Sequence, residues 1–143
     1  LKISKKDWQE ENEMSYVEIA SLVGAILLGI IFVLTICLAL GLPLGELSMG
    51  GKYKIIPPKM RMAVWVMAVI QIMALLIILQ TSGIVPLLFS LKITRVICFV
   101  FAGYLSLNSI MNFFSHSKKE KLVMTPLAVI AAICFWIVAF AAA

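Results

Sequence analysis

The chain has 143 residues, 63% of them apolar and 13% charged, against about half and about a quarter in a soluble domain. That excludes an ordinary water-soluble domain: a hydrocarbon core about 30 Å thick takes roughly 20 apolar residues per crossing, so the length supplies at most about four or five spanning helices and short loops. Twelve Lys and Arg against seven Asp and Glu give +5, but the cations are scattered over short loops and report membrane topology rather than a nucleic-acid surface.

The chain opens on a polar leader, residues 1–15, that lacks the apolar core of a signal peptide. Gln9-Glu10-Glu11-Asn12-Glu13 ahead of Met14 fits a purine-rich coding stretch with a ribosome-binding site. Native translation is therefore expected to start at Met14, which N-terminal sequencing of protein from the intact locus checks. Residues 16–140 form one transmembrane domain with four apolar stretches, about 16–42, 62–79, 96–114 and 122–140, each near or above the roughly 18 residues of a spanning helix. None alternates like a barrel strand, and lipid offers backbone groups no water, so the expected fold is all-α: an antiparallel four-helix membrane bundle.

Pro43 and its flanking glycines stop the first helix, Pro57 and Pro58 precede the second, and Ser82-Gly83 ends it. Residues 84–91, broken by Pro86, either lie at the interface or extend the third helix. Thr125-Pro126 reads as an N-cap and first-turn pair at the start of the fourth. The closing Ala141-Ala142-Ala143 is either a cloning remnant or the plain end of that helix.

Candidate chemistry is sparse. Cys37, Cys98 and Cys134 all fall inside spans at unlike depths, with no CxxC pair, and read as small buried apolar residues. His116 has no partner at ligand spacing and reads as a solvated loop residue, so no metal and no cofactor is expected. Glu18, near the mouth of the first helix, reads as an interfacial anchor. The third helix carries the strongest polar pattern: Tyr104, Asn108 and Asn112 at spacings of four with Ser109 on the same broad face, and Ser106 pointing elsewhere. That face should turn inward, with Gln71 of the second helix opposite. It either ties helices together by hydrogen bonds or walls a small polar cavity opening toward the third loop. Ala20 with Gly24, Ala25 with Gly29, and Ala128 with Ala132 have the spacing that lets membrane helices approach closely.

The first loop is the most distinctive segment. It runs Gly41-Leu42-Pro43-Leu44-Gly45-Glu46, then Gly50-Gly51-Lys52-Tyr53, then Pro57-Pro58-Lys59-Met60-Arg61. Turn formers, one carboxylate and four cations in some twenty residues make either a compact turn, with Glu46 paired to a nearby Lys or Arg, or a headgroup or ligand site.

Here the sequence resembles a widespread, uncharacterised group of small bacterial integral membrane proteins. The resemblance rests on Gly41, Pro43, Gly45, Glu46, Gly50, Gly51, Pro58 and Arg61, and farther on upon Asn112, Ser115, Glu120 and Pro126. Met49 stands where an aromatic is frequent and Met124 near a position often Trp. The likeness spans nearly all of residues 14–140. It implies the four-helix architecture and a place in a bacterial cytoplasmic membrane, and it names no reaction.

Four crossings put the first and third loops on one face. They hold Lys52, Lys54, Lys59, Arg61, Lys118, Lys119 and Lys121, against Lys92 and Arg95 plus Lys2, Lys5 and Lys6 opposite. The bias predicts these loops in the cytoplasm and both termini outside it. Glu46, Arg61, Asn108, Asn112, Ser115 and Glu120 are then the candidate polar cluster or ligand site. With no evident nucleophile and base pair, the expected role is a non-enzymatic accessory or interaction protein. Its partners would be the bilayer and either a larger membrane protein or further copies of the chain, not nucleic acid. The alternatives are an oligomeric small transporter or channel and, behind it, a lipid-acting enzyme using Glu46 or His116.

Overall fold

The computed structural model describes residue 2 and residues 4–142, the side chains of residues 11–15 excepted. The expected start at Met14 and the last alanine of the terminal triplet therefore lie outside the described residues in whole or part. Four helices, α1 (Lys5–Ala39), α2 (Pro58–Thr81), α3 (Leu91–Phe113) and α4 (Lys118–Ala141), each contain a stretch long and apolar enough to cross a membrane, with α3 the least apolar. Among the described residues there is no strand. The fold is the four-helix bundle of a small multi-pass membrane protein.

Helix ends follow the local chemistry, and several fall elsewhere than the hydropathy suggests. The apolar span of α1 begins at Tyr16 as expected, but the helix runs back to Lys5, where the Ser4 hydroxyl accepts from Asp7 N–H and the Asp7 carboxylate accepts from Ser4 N–H, a reciprocal cap at the polar end. α2 starts at Pro58, whose missing N–H costs nothing in a first turn. α3 starts at Leu91 behind the Ser90 cap, so residues 84–90 connect α2 to α3 and are not part of it.

The expected Thr125-Pro126 start of the fourth helix is corrected. α4 begins at Lys118, capped by the Ser117 hydroxyl, and Pro126 lies inside it. A serine cap eight residues before Thr125 satisfies the orphan N–H groups first. Pro126 then leaves the carbonyl one turn back without its usual donor, and the buried Thr125 hydroxyl has no partner among the described residues.

α1 packs along α2 and α4, and α3 along α4, while α2 and α3 meet over less of their length. Between membrane helices, close approach of small residues replaces the hydrophobic drive available in water. α4 accordingly buries Ala128, Ala131, Ala132, Cys134 and Ala139. Gly24 of α1 sits so close that a Cβ there would stand 2.8 Å from Ile78 and 3.1 Å from Cys134; Gly29 meets open space, which separates the tight small-residue pair from a chance one. Ile, Val, Leu, Met and Phe side chains cover the outside of the bundle, as a lipid-facing surface requires. At mid-height Leu28, Ile78, Ala102 and Phe135 are at most 1% exposed and close the interior.

Candidate functional site

The site is built at the end of the bundle where the first and third loops meet. α1 ends at Ala39 with Leu40 as its cap, and the chain turns away at Gly41, whose φ of +89° suits glycine. The Arg61 guanidinium fills the space where a side chain at Gly41 would stand, and Arg61 Nε donates to the Ile56 carbonyl at 3.2 Å. The two sides of the first loop are joined by Gly45 N–H donating to the Lys54 carbonyl at 2.9 Å, an approach so close that a Cβ at Gly45 would stand 1.9 Å from the Tyr53 oxygen.

Met49, Gly50 and Gly51 follow with φ of +52°, +68° and +72°. This left-handed run, strained at the one residue with a side chain, turns Gly50 N–H toward Glu120 at 2.9 Å. Met49 packs on a small apolar cluster of Leu38, Ala39, Ile56 and Val64 beneath the loop.

The third loop clamps this turn in place. Ser117 donates its hydroxyl to the Glu46 carbonyl and lies directly against Gly51. Lys119 pairs with the Glu46 carboxylate at 2.6 Å, and that hydrogen bond and charge hold the Glu46 carboxyl below the usual glutamate range. Glu120, 8% exposed, accepts on one oxygen from both Gly50 N–H and the Ser115 hydroxyl. No cation lies within ion-pair distance of it among the described residues.

Under this roof lies a cavity of about 360 Å³. Leu47, Ser48, Met49 and Gly50 cover it, and α1 lines one side with Leu28, Ile31, Thr35 and Leu38. α2 and α3 line the other with Met67, Gln71, Tyr104, Asn108 and Asn112. Leu28 is three turns back from the end of α1, so the cavity reaches roughly 16 Å into the bundle at 1.5 Å per residue. Its deepest lining residue on α1, Leu28, is one of the buried mid-height residues.

The polar face of α3 does turn inward, in graded fashion. Asn112 and Ser109 are each 7% exposed, Asn108 is half-buried and Tyr104 is exposed. Ser109 spends its hydroxyl on the Leu105 carbonyl, and Ser106 faces α4, accepting from Trp136 Nε1 at 2.9 Å. The Asn108 and Asn112 carboxamides make no hydrogen bond with any described residue, and Gln71 Oε1 is buried without a partner.

Of the expected cluster, Asn108, Asn112, Ser115 and Glu120 line the cavity together. Glu46 and Arg61 do not: one is on the outer side with Lys119, the other is spent on the loop's own backbone. The Gly50 N–H, Ser117 and Lys119 were not anticipated; a Ser-x-x-Glu spacing over Ser117 and Glu120 was the signal for the cap. His116 lies at the cavity edge and is exposed, Glu18 stands exposed at the far end, and Cys37, Cys98 and Cys134 are unpaired.

Four interlocked apolar helices and a roofed polar cavity define a small multi-pass membrane protein. Compared with protein-family models, curated proteins and solved structures, the chain has no match.

Proposed function

We propose that the protein works by binding rather than by catalysis, as a non-enzymatic accessory or interaction protein of a bacterial cytoplasmic membrane, related to the small four-helix group it resembles. One observation carries this. At the roofed end Glu46 is held by Lys119 and one oxygen of Glu120 by Gly50 and Ser115; below Glu120 and His116 at the loop end, the polar wall of the cavity is mainly carboxamide, from Gln71, Asn108 and Asn112, which neither attacks nor shuttles protons at neutral pH. Seven cations on the first and third loops support placing this end in the cytoplasm, with both termini outside. The partner is a larger membrane protein or a second copy of the chain.

The test compares cells expressing Asn112→Leu and Gln71→Leu with the deletion strain. Loss of the cellular role with thermal stability within about 1 kcal/mol of wild type is the expected result. A role that survives both substitutions, or turnover of a substrate by the purified chain, overturns the reading.

A second reading, an oligomeric transporter or channel, draws on Tyr104 and Asn108, which carry the polar stripe of α3 toward the surface. A single bundle is closed by Leu28, Ile78, Ala102 and Phe135, so this reading needs a symmetric oligomer with a continuous polar path between copies.

A further inference from the structure

We infer that the cavity is a lateral binding site for the headgroup of a membrane lipid bearing N–H or O–H donors, entered from the bilayer between α2 and α3. The inference rests on the binding reading above and names its ligand. Access comes first. The first loop roofs the cavity with Leu47, Ser48, Met49 and Gly50, the third loop edges it with Ser115 and the exposed His116, and the buried mid-height residues stand at its inner end, so a ligand coming from the bilayer enters sideways. α2 and α3 are the neighbouring helices that touch least, and Met67, Tyr104 and Met111, which line the cavity, are 37%, 45% and 65% exposed. The wall between cavity and lipid is thus one side chain thick.

Recognition follows from what is left unpaired. Asn112 is 93% buried by its 7% exposure, lines the cavity and has no hydrogen-bond partner among the described residues. Gln71 Oε1, also on the cavity wall, is buried and unpartnered. Glu120 uses one carboxylate oxygen for both of its bonds, and the other has no hydrogen-bond partner among the described residues. Buried polar groups in lipid are costly unless bonded, and these three form an acceptor-rich set beneath an otherwise satisfied roof.

A donor on the ligand satisfies the free Glu120 oxygen or the Gln71 oxygen, and the carboxamide N–H groups of Asn108 and Asn112 are left for its ester or phosphate oxygens. The volume, about 360 Å³, is that of a site for a headgroup and glycerol rather than a whole lipid. The acyl chains then remain between α2 and α3, in the bilayer. Exposed lysines flank the roof at Lys52, Lys118 and Lys121, where an anionic phosphate is drawn to the surface.

The experiment uses the full chain in detergent micelles doped in turn with dioleoyl phosphatidylethanolamine, phosphatidylglycerol and phosphatidylcholine, with retained lipid counted by native mass spectrometry. The first two headgroups carry donors and the third carries none. Retention of one or both donor lipids about tenfold or more over phosphatidylcholine is the expected result. Preference for ethanolamine assigns an ammonium to Glu120, and preference for glycerol assigns hydroxyls to the carboxamides. Gln71→Leu and Asn112→Leu should each weaken retention about three- to tenfold, the value of one or two hydrogen bonds, and Asn108→Leu replaces either variant that fails to fold.

Equal retention of all three lipids, or unchanged retention in the variants, overturns the inference. If those variants lose the cellular role without any lipid preference, the binding reading stands and the lipid falls. If a donor lipid is bound selectively and then cleaved, the lipid stands and the non-enzymatic reading falls.

Discussion

The two ends of the bundle are built on different principles. At the end formed by the first and third loops, backbone and side chains interlock across long sequence separations: Gly50 with Glu120, Glu46 with Ser117 and Lys119, Gly41 with Arg61. At the opposite end the ties found are mostly local caps, Ser4 with Asp7 and Ser90 with Ile93, and the principal long-range one is Arg95 donating to the Ala139 carbonyl at 2.7 Å while lying over Phe99. The recess there, about 630 Å³, is larger but is lined by exposed Tyr16 and Glu18 among others. Size alone therefore does not make a site. A roof held by satisfied polar groups, over polar groups left unsatisfied, does.

The sharpest way to break this comparison is a single methyl group. Gly45→Ala drives a Cβ into the Tyr53 and Lys54 backbone and should cost roughly 3 kcal/mol or more. Gly83→Ala at the other end meets nothing within 4 Å and should cost only the left-handed strain, about 1–2 kcal/mol. Thermal unfolding of both variants in micelles checks the ordering.

Next in size is Glu120→Leu, which strands the Gly50 N–H and the Ser115 hydroxyl and should destabilise by about 2–3 kcal/mol. Glu120→Gln, keeping an acceptor oxygen, should recover part of that. Glu18→Leu, at an exposed position of the far end, should stay within about 0.5 kcal/mol of wild type. Equal losses at Glu120 and Glu18 would erase the difference between the ends.

The smallest effect is a pH dependence present at both ends. Glu46 is held below its ordinary 4.5 by the hydrogen bond and charge of Lys119, and Asp7 below its ordinary 3.8 by the Ser4 hydroxyl and then the Ser4 backbone. A carboxyl whose pKa is lower when folded contributes stability above its unfolded value and loses it as pH falls through the folded one. Stability should therefore decline as pH falls through and below these ordinary values. Lys119→Ala should remove only the roof's share of that decline and Ser4→Ala only the leader's, which pH-dependent unfolding of the two variants resolves.

Much of the fold was legible because a bilayer leaves the chain few options: four apolar runs of sufficient length become four helices. Boundaries were less legible because hydropathy marks where lipid begins, not where hydrogen bonding stops. α1 and α4 both run into polar sequence, carried by the Ser4 and Ser117 caps. The inward face of α3 followed from spacing, since Asn108 and Asn112 must share a side.

Glu120 shows the limit. With Ser117 three residues before it, the pattern is that of a reciprocal cap, and Ser117 does accept from Glu120 N–H. The carboxylate instead goes to Gly50, seventy positions away, and the Ser117 N–H bonds the Ser115 hydroxyl. Local spacing predicts a local bond, and packing of the first loop onto α4 redirects it.

By itself, then, the sequence determined the solvent the chain lives in, the number of crossings and which face of α3 is polar, because composition and period are local properties. Only the tertiary structure decided that Glu46 and Arg61 hold the loops while Asn108, Asn112 and Glu120 face a common space. That division depends on which distant backbone groups reach each side chain first, and in a medium without water a polar group that is reached last is the one left for a ligand.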